Sequence, residues 1–298
     1  MKILITGATG ALGRKLIPYL VKNKDVKILT VNRDIEKASR LFEHYENVQN
    51  TTIVHPEDII TFNPKVVIHL ASYVTSLDSF EEGKKLIDSN LTYGIQLLDI
   101  LKHTDSLKLF LNFGTFAEFK TGIEKINNTY LYSASKTAFR AFVEYYASTQ
   151  NFNLIHVVPF TIYGTDDEKK KIFDFILEGF YSEKPVNMSP GLQKLDFIHV
   201  DDICQIIDTL IHSKSSQKLH LQNVFAGTGE PNSLRNVATI MESILGVSPK
   251  HNWGGLPYRE QEVMYACANI DPLIELNCVP KIDLKTGIFN YLVSKGLA

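Results

Sequence analysis

Three glycines near the start of the chain constrain its fold more than any other feature. The run GATGALG, residues 7–13, follows the apolar residues 3–5 directly and opens a helical pattern. In such a strand–turn–helix unit, the first glycine makes the tight turn, the second lets a pyrophosphate approach the backbone, and the third lets helix and strand pack closely. The amides at the helix N-terminus then meet the phosphate charge. The turn therefore predicts a dinucleotide site with contacts from Gly7, Thr9, Gly10, Ala11, Leu12 and Gly13.

Short β-rich runs alternate with longer helical patterns over the first half of the chain. We predict strands at Lys2–Thr6, Val26–Val31, Thr52–His55, Lys65–His69, Leu107–Asn112 and Leu154–Pro159. Helices are predicted between them at Ala11–Lys22, Ile35–Phe42, Phe80–Lys102 and Tyr130–Thr149. This rhythm indicates βαβ units and an α/β fold: a doubly wound parallel sheet of the Rossmann type, with helices on both faces.

After Gly164 the alternation becomes less regular. Helices are predicted at Lys169–Phe180, Asp201–His212, Ser233–Leu245 and Leu284–Lys295, with loops that carry glycine and proline between them. We therefore predict a dinucleotide-binding domain over residues 1–165 and a smaller C-terminal, substrate-binding lobe over residues 166–298, with residues 196–228 returning to the first domain.

The end of the second predicted strand bears on which dinucleotide is bound. An acidic residue there holds the ribose 2′-hydroxyl of NAD, whereas an arginine nearby accommodates the 2′-phosphate of NADP. Asn32 occupies the strand tip and Arg33 follows it. These two residues predict NADP(H) as the cofactor rather than NAD(H). The alternative is that Arg33 is a solvated surface residue and that Asp34 only caps the next helix.

Tyr132 and Lys136 stand four residues apart at the start of a long helical pattern. This spacing places both side chains on one helix face. A free tyrosine, with a pKa near ~10, is a poor acid–base group at neutral pH, and we expect the neighbouring ammonium to lower that pKa. Such a pair is commonplace on helices, but it gains meaning after the fifth βα unit of a chain that begins with a dinucleotide turn.

With the three glycines, the tyrosine and the lysine at this separation, the whole chain resembles the extended short-chain dehydrogenases. The resemblance implies that Tyr132 is the proton donor or acceptor and that Lys136 is its partner and a ribose ligand. It also implies that Thr115, after the fifth strand, binds the reacting sugar oxygen. Residues 69–72, HLAS, resemble the motif that lies along the cofactor at the end of the family's fourth strand. The further cofactor contacts implied are those of Leu70, Ala71, Ser72, Tyr132, Lys136 and Pro159.

Residues 196–202, DFIHVDD, resemble a late motif of family members that act on nucleotide-sugars. A nucleotide-sugar carries a pyrophosphate, which needs cations. Arg259 resembles the family's C-terminal pyrophosphate arginine, and Lys194 stands before the late motif where many relatives have an arginine. The residues implied to contact the substrate are Thr75, Thr115, Phe116, Lys194 and Arg259.

Within that family, the chain looks like the branch that contains the CDP-abequose and CDP-paratose synthases, from YGTDD at residues 163–167, KIF at 171–173 and SPG at 189–191. The resemblance implies NADPH-dependent reduction of the C4 keto group of a nucleotide-activated 4-keto-6-deoxy sugar. Two alternatives stay open: an NAD-dependent nucleotide-sugar 4-epimerase, and a non-catalytic NADP-sensing regulatory protein. Arg33 argues against the first, and the complete set of Thr115, Tyr132 and Lys136 argues against the second.

Composition and charge argue against other classes of protein. A formal net charge of −2 offers no basic surface for nucleic acid or an anionic membrane, and no apolar run reaches the length of a membrane span. The three cysteines form no CxxC pair and the nine histidines form no HxxxH or HExxH group, so we predict neither a disulfide frame nor a metal site. We expect a cytoplasmic protein. The resemblance also implies a homodimer through the helices at 80–102 and 130–149. Ile95, Leu98 and Phe142 are candidate surface residues, and the alternative is that they face the sheet.

Overall fold

The computed structural model describes residues 1–167 and 170–298. Its strands are, in chain order, β1 (Lys2–Thr6), β2 (Lys27–Val31), β3 (Val48–Thr51), β4 (Val66–His69), β5 (Leu109–Phe113), β6 (Asn153–Pro159), β7 (Thr161–Tyr163), β8 (Val186–Met188), β9 (Lys194–His199), β10 (Gln222–Ala226), β11 (Pro231–Ser233), β12 (His251–Trp253) and β13 (Tyr265–Ala266).

The helices are, in chain order, α1 (Ala11–Leu20), α2 (Ile35–Phe42), α3 (Pro56–Phe62), α4 (Phe80–Leu86), α5 (Tyr93–Leu101), α6 (Leu131–Gln150), α7 (Ile172–Tyr181), α8 (Val200–His212), α9 (Leu234–Leu245), α10 (Asp271–Glu275) and α11 (Leu284–Ser294). A π-helical stretch, Ile87–Thr92, joins α4 to α5, and short 3₁₀ turns occupy Phe116–Glu118 and Lys214–Leu219.

Seven parallel strands form the main sheet in the order β3-β2-β1-β4-β5-β6-β10. The chain reverses its direction across the sheet between β1 and β4, and ligands of doubly wound sheets bind at such a point, outside the carboxyl ends of the strands. The predicted α/β doubly wound fold is therefore confirmed.

Helices cover both faces of the sheet, because successive side chains of a buried strand point to opposite faces. Ile3 and Ile5 of β1 pack in one core with residues of α1 and α8. Leu4, between them, packs in a second core with residues of α3, α5 and α6. This double burial explains why the strands are continuously apolar.

Two predicted elements of the first half are corrected. The strand expected at Thr52–His55 is wrong, since β3 is Val48–Thr51 and Val54 is 70% exposed. β3 is an edge strand paired only with β2, so its own residues are mostly polar and the β-branched run lies beyond it. The helix expected at Phe80–Lys102 is interrupted by the π-helical stretch, and α3 was not predicted.

A second body of structure packs at the carboxyl end of the main sheet. β9 pairs with β7, β11 and β13, and β8 pairs with β12. Residues of α7, α9 and α11 enclose a third apolar core beside these strands. Of the helix expected at Lys169–Phe180, Lys169 lies outside the described residues and α7 starts at Ile172. No helix among the described residues is long and apolar enough to cross a membrane.

Candidate active site

Two glycines bring β1, α1 and the end of β4 together. Gly7 has a left-handed backbone with φ of +68°, and a Cβ atom there would lie 2.6 Å from the Ala71 nitrogen. A Cβ atom on Gly13 would lie 2.4 Å from the carbonyl oxygen of Ala8. Any larger residue at either position would push backbone segments apart, so the turn requires both glycines.

Gly10 differs, because the protein itself does not require a glycine there. Its φ is −74°, which any residue adopts, and a Cβ atom would meet only the Gly7 carbonyl oxygen, at 3.2 Å. No described side chain caps α1, so the amides of its first turn are available to an anion. An exposed glycine at an uncapped helix start fits the close approach of a dinucleotide pyrophosphate. Thr9, Ala11 and Leu12 flank it and are partly exposed.

The tip of β2 offers a buried polar group. The Nδ2 atom of Asn32 donates to the Thr30 hydroxyl at 2.7 Å, and Thr30 donates to Asn50 at 2.6 Å. The buried Oδ1 atom of Asn32 therefore has no partner among the described residues. Such an acceptor fits a ribose hydroxyl of a bound dinucleotide. Arg33 is exposed. The Asp34 carboxylate caps α2 by accepting a hydrogen bond from the Lys37 amide at 2.9 Å.

The end of β4 lies beside the glycine turn. The Thr6 hydroxyl lies 2.9 Å from Nδ1 of His69 and accepts a hydrogen bond from the Ala71 amide at 3.1 Å. Burial, helped by the charge of Lys136, lowers the pKa of His69 to about 3, so the ring is neutral at physiological pH. Residues 70–72, which follow, are partly exposed at the carboxyl edge of the sheet.

Tyr132 and Lys136 lie one turn apart on α6; Lys136 is buried and Tyr132 is partly exposed. The expected fall in the pKa of the phenol is wrong for the protein alone. Burial raises the pKa of Tyr132 to about 12, the Ser72 hydroxyl opposes the rise, and the charge of Glu118 adds to it. Burial lowers the pKa of Lys136 to about 8, against the charge of Glu118 and together with that of Arg140. Tyr132 is therefore a protonated phenol at neutral pH, while Lys136 titrates near the physiological range.

Thr115 lies two residues after the end of β5 and caps the 3₁₀ turn at 116–118. Its buried hydroxyl accepts from the backbone amide two residues later at 3.3 Å, and its own amide donates to Oε2 of Glu118 at 2.8 Å. The partly exposed ring of Phe116 stacks on Phe160 with 5.7 Å between centroids. These contacts hold the threonine in one place at the carboxyl edge of the sheet.

Asn90 joins the end of β4 to α6, and the sequence analysis missed it. It is buried in the π-helical stretch Ile87–Thr92. Its Oδ1 atom accepts from the Tyr73 amide at 2.7 Å and the Ser72 hydroxyl at 3.3 Å. Its Nδ2 atom donates to the Tyr73 carbonyl at 3.0 Å and the Ser135 hydroxyl at 2.9 Å. π-Helical turns occur frequently at functional sites, but no spacing of residues in the sequence predicts one.

The residues assigned to the substrate lie on separate loops and strands. Arg259 is exposed between β12 and β13, and its guanidinium opposes the rise in pKa that burial gives Tyr130, the residue before α6. Thr75 lies in the loop after β4, and its hydroxyl accepts from a backbone amide at 3.1 Å. Lys194 is exposed at the start of β9, and Pro159 ends β6. The structure thus brings Arg259 to the start of the helix that carries Tyr132, and no described contact joins Lys194 to that helix.

Metal ligands and thiols contribute no further cluster to the part of the chain that the structure describes. In that part, no group of three or more His, Cys, Asp or Glu residues could hold a metal ion. Cys204 and Cys278 are buried thiols, and Cys267 is partly buried.

Comparisons with known proteins agree with this geometry. The model of a family described as the NAD dependent epimerase/dehydratase family matches residues 3–224. A CDP-abequose synthase of Yersinia pseudotuberculosis is 26% identical, over 89% of this chain and 91% of that protein. A UDP-glucuronate 4-epimerase of Thermodesulfobacterium geofontis is 25% identical, over 96% of this chain and 93% of that protein. The structure of the UDP-glucuronic acid 4-epimerase from Bacillus cereus, in complex with UDP-glucuronic acid and NAD, has a TM-score of 0.88 at 22% identity and covers 100% of both chains.

Proposed function

The chain belongs to the NAD dependent epimerase/dehydratase family, and from that premise we propose that it reduces the C4 keto group of a nucleotide-activated 4-keto-6-deoxy sugar with NADPH. Membership confirms the resemblance to the extended short-chain dehydrogenases, and the chain is an NAD(P)-dependent enzyme of nucleotide-sugars. One observation carries the choice of reduction over epimerisation: the exposed Arg33 at the tip of β2 favours NADPH, the cofactor of a net reduction. Tyr132 and Lys136, one turn apart on α6, supply the proton donor that reduction of a ketone requires.

The proposed roles follow from the reaction's proton balance. When bound, the reduced nicotinamide supplies a hydride to the carbonyl carbon. Tyr132 donates its phenolic proton to the carbonyl oxygen as that oxygen becomes an alkoxide, which leaves an alcohol on the sugar and a phenolate on the protein. Thr115 donates a hydrogen bond to the same oxygen. The ammonium of Lys136, one turn away, stabilises the phenolate until a proton returns from solvent.

The preference for NADPH rests on the tip of β2. Asn32 stands where a carboxylate would hold the ribose of NAD, and the exposed Arg33 is available to the 2′-phosphate. We expect Arg33→Ala to weaken NADPH binding by about tenfold, because it removes one charge-assisted contact. NADH binding is expected to stay unchanged. Nucleotide fluorescence measures both affinities, and Arg40→Ala, an exposed arginine on α2, is the matched control. Equal affinities of the wild type for NADPH and NADH would refute this preference.

The second candidate is an NAD-dependent 4-epimerase, which oxidises and re-reduces the same carbon. The buried Oδ1 acceptor of Asn32 favours it, because a ribose hydroxyl can donate to that atom and a 2′-phosphate cannot. Of the relatives, the Thermodesulfobacterium protein is a UDP-glucuronate 4-epimerase by name. Net consumption of NADPH distinguishes the two reactions, since an epimerase regenerates its cofactor.

To test the proposal, the protein is mixed with NADPH and with 4-keto-6-deoxyhexoses activated with CDP, GDP, dTDP or UDP. The absorbance of NADPH is then recorded over time for each substrate. The reductase proposal expects stoichiometric loss of NADPH with at least one of them. A parallel reaction contains UDP-glucuronic acid and NAD, and NMR of the sugar detects inversion at C4. Inversion without a change in absorbance would replace the proposal by the epimerase.

Exposed aromatic residues on α4 and α6 support the proposed homodimer. Phe80 is 79% exposed, Tyr145 63% and Phe142 42%. Leu98 was a wrong candidate for this surface, because it is buried in the core under α5 and α6, and Ile95 is half-buried against the same core. Light scattering at micromolar concentration tests the dimer, and Phe142→Glu is expected to yield monomers. The cytoplasmic location stays a prediction of the sequence.

A further inference from the structure

An ion pair removed from water lies under the proposed site. Glu118 is 0% exposed and Arg140 is 5% exposed. Nε of Arg140 donates to Oε1 of Glu118 at 2.7 Å, and Nη2 donates to Oε2 at 3.2 Å. A buried ion pair stabilises a fold little more than apolar side chains of the same volume. Stability alone therefore does not account for these two residues.

The carboxylate of Glu118 holds two further groups. Oε2 accepts from the Thr115 amide at 2.8 Å, and Oε1 accepts from the Thr137 hydroxyl at 3.0 Å. The backbone leaves room for the pair: a Cβ atom on Gly114 would lie 2.4 Å from Oε2 of Glu118 and 2.8 Å from Nη2 of Arg140. Glycine at position 114 is thus needed for the carboxylate to reach the turn after β5.

The same carboxylate connects the two parts of the site. Thr115 belongs to the turn after β5, whereas Arg140 lies on α6, one helical turn beyond Lys136. Nη1 of Arg140 also donates to Asn223 of β10 at 2.7 Å. The distance between Thr115 and the acid–base helix is therefore set by hydrogen bonds to Glu118 and not by apolar packing alone.

Charges around the buried Lys136 depend on this pair. Burial lowers the pKa of Lys136. Glu118, in the turn at 116–118, raises that pKa, and Arg140, one turn further along α6, lowers it. Burial and the charge of Lys136 in turn lower the pKa of His69 on β4. The ring of His69 is neutral at physiological pH. Tyr132, on the same helix, is a neutral phenol at that pH. Glu118 supplies the negative charge among these groups, and without it the cations of Lys136 and Arg140 would have no counter-charge in a buried site.

We propose that Glu118 is a positioning residue of the enzyme, which fixes Thr115 against α6 and supplies the counter-charge that keeps Lys136 protonated beside Arg140. The role of Glu118 in catalysis rests on the proposed function, because a protonated Lys136 is needed to stabilise the phenolate of Tyr132. The effect of Glu118 on the ionisation of Lys136 does not rest on it, since that ionisation takes place in the protein without substrate.

The experiment measures that ionisation directly. Protein with 13C- and 15N-labelled lysine is titrated by NMR without substrate or cofactor, and the Lys136 signal is assigned with Lys136→Arg. E118Q removes the negative charge but keeps the shape of the side chain, so the pKa of Lys136 is expected to fall. R140M removes the positive charge but keeps the alkyl stem, so the pKa of Lys136 is expected to rise. The double variant E118Q/R140M is expected to return close to the wild type.

Asp196→Asn is the matched control. Asp196 is also a fully buried carboxylate, and it accepts hydrogen bonds from the amides of Thr228, Gly229 and Ala268. Its loss is expected to destabilise the fold without moving the Lys136 titration. If E118Q alone does not fold, R140M and the double variant still decide the sign. Shifts of both folded variants in the same direction, or none at all, overturn the proposal.

Turnover provides a second readout. On a substrate that the wild type reduces, E118Q is expected to lower kcat by about tenfold to a hundredfold through displacement of Thr115. The KM for NADPH is expected to change little, and the alkaline limit of kcat is expected to move to lower pH. If no sugar of the panel is reduced, the proposed function fails while the NMR titrations still test Glu118. An unchanged kcat in folded E118Q would contradict the positioning of Thr115.

Discussion

The end of the site predicted to bind the dinucleotide (the nucleotide end) and the end predicted to bind the sugar nucleotide (the sugar end) are built differently. At the nucleotide end, the groups offered to a ligand belong to backbone held by buried strands, and Gly7 and Gly13 have no room for a side chain. At the sugar end, Arg259 and Lys194 are exposed side chains, one on a loop and one on an outer strand. The backbone geometry of this turn is shared by proteins that bind a dinucleotide with the same βαβ unit, whereas loops vary with the substrate. The fold therefore constrains the cofactor end of the site more than it constrains the choice of sugar.

The largest expected effect on turnover is that of replacing Tyr132. Tyr132→Phe removes the proton donor and keeps the ring, so kcat is expected to fall by about two to four orders of magnitude. The affinity for NADPH is expected to survive, because the phenol does not hold the pyrophosphate. Thr115→Ser is the mild control, since it keeps a hydroxyl at the same place. Near wild-type turnover by Tyr132→Phe on a verified substrate would remove the acid–base assignment.

Acid is expected to unfold the nucleotide end through its buried histidines. Burial lowers the pKa of both His69 and His156 to about 3 in the folded protein, compared with about 6.5 in an unfolded chain. Between these values the unfolded chain binds more protons, so the free energy of unfolding is full above about pH 6.5 and falls as the pH drops toward 3. Several kcal/mol are at stake, and urea unfolding at pH 7, 6 and 5 measures them.

A histidine variant identifies the source of that dependence. His156→Gln is expected to be less stable than the wild type at pH 7 but to lose less stability between pH 7 and 5. His212→Gln, at a half-exposed position on α8, is expected to follow the wild-type curve. Wild-type stability that stays flat from pH 7 to 5 would rule out a cost of charging the buried rings.

The glycines of the turn separate fold from binding. A methyl group on Gly13 meets backbone, so Gly13→Ala is expected to cost about 1–3 kcal/mol of stability. A methyl group on Gly10 meets a single carbonyl oxygen, so Gly10→Ala is expected to cost less than about 1 kcal/mol. Gly10→Ala is nevertheless expected to weaken dinucleotide binding by about tenfold, because the added methyl group keeps the pyrophosphate away from the backbone. Calorimetric unfolding and cofactor titration of both variants measure the contrast, and full cofactor affinity of Gly10→Ala would remove the pyrophosphate from this turn.

The smallest effect is expected at the sugar end. Arg259→Ala removes an exposed cation beside Tyr130 and is expected to raise the KM for the sugar nucleotide by about tenfold, while that for NADPH stays the same. Lys194→Ala is the comparison at the other predicted cation. A larger effect of Lys194→Ala than of Arg259→Ala would reverse the assignment of the pyrophosphate ligand.

Sequence patterns predicted the fold where structure follows from local rules. Continuous apolar runs located β1, β2, β4, β5 and β6, because strands covered on both faces have few polar residues. β10 was not predicted as a strand, since Gln222 and Asn223 begin it and only its last three residues are buried. The strands of the smaller body have two to six residues, and their pairing depends on distant segments.

The candidate site was also predicted only in part from the sequence. Tyr132 and Lys136 were predicted from their helical spacing together with the resemblance to the extended short-chain dehydrogenases, and Thr115 was predicted from that resemblance. Asn90 was missed because its partners are 17 to 45 residues away and no spacing rule connects them. Glu118 was missed although Thr115 and Glu118 have the T-x-x-E spacing of a capping box, because that pattern says nothing of Arg140, 22 residues away. The pKa of Tyr132 was predicted in the wrong direction, since burial is a property of the folded protein and not of the pair.

The π-helical stretch Ile87–Thr92 also sets the rotational phase between α4 and α5. Each residue of an α-helix turns the chain by about 100°, and a π turn holds one residue more than an α turn. An insertion, or a deletion of more than that one residue, would therefore rotate everything after the stretch. Leu97, Leu98 and Leu101, which now pack in the core, would then point elsewhere, although they lie two to three turns away. Substitution of the exposed Asp88 changes only a surface. The length of this stretch is therefore under stronger constraint than most of its composition, and insertions or deletions there are expected to be far less tolerated than replacements.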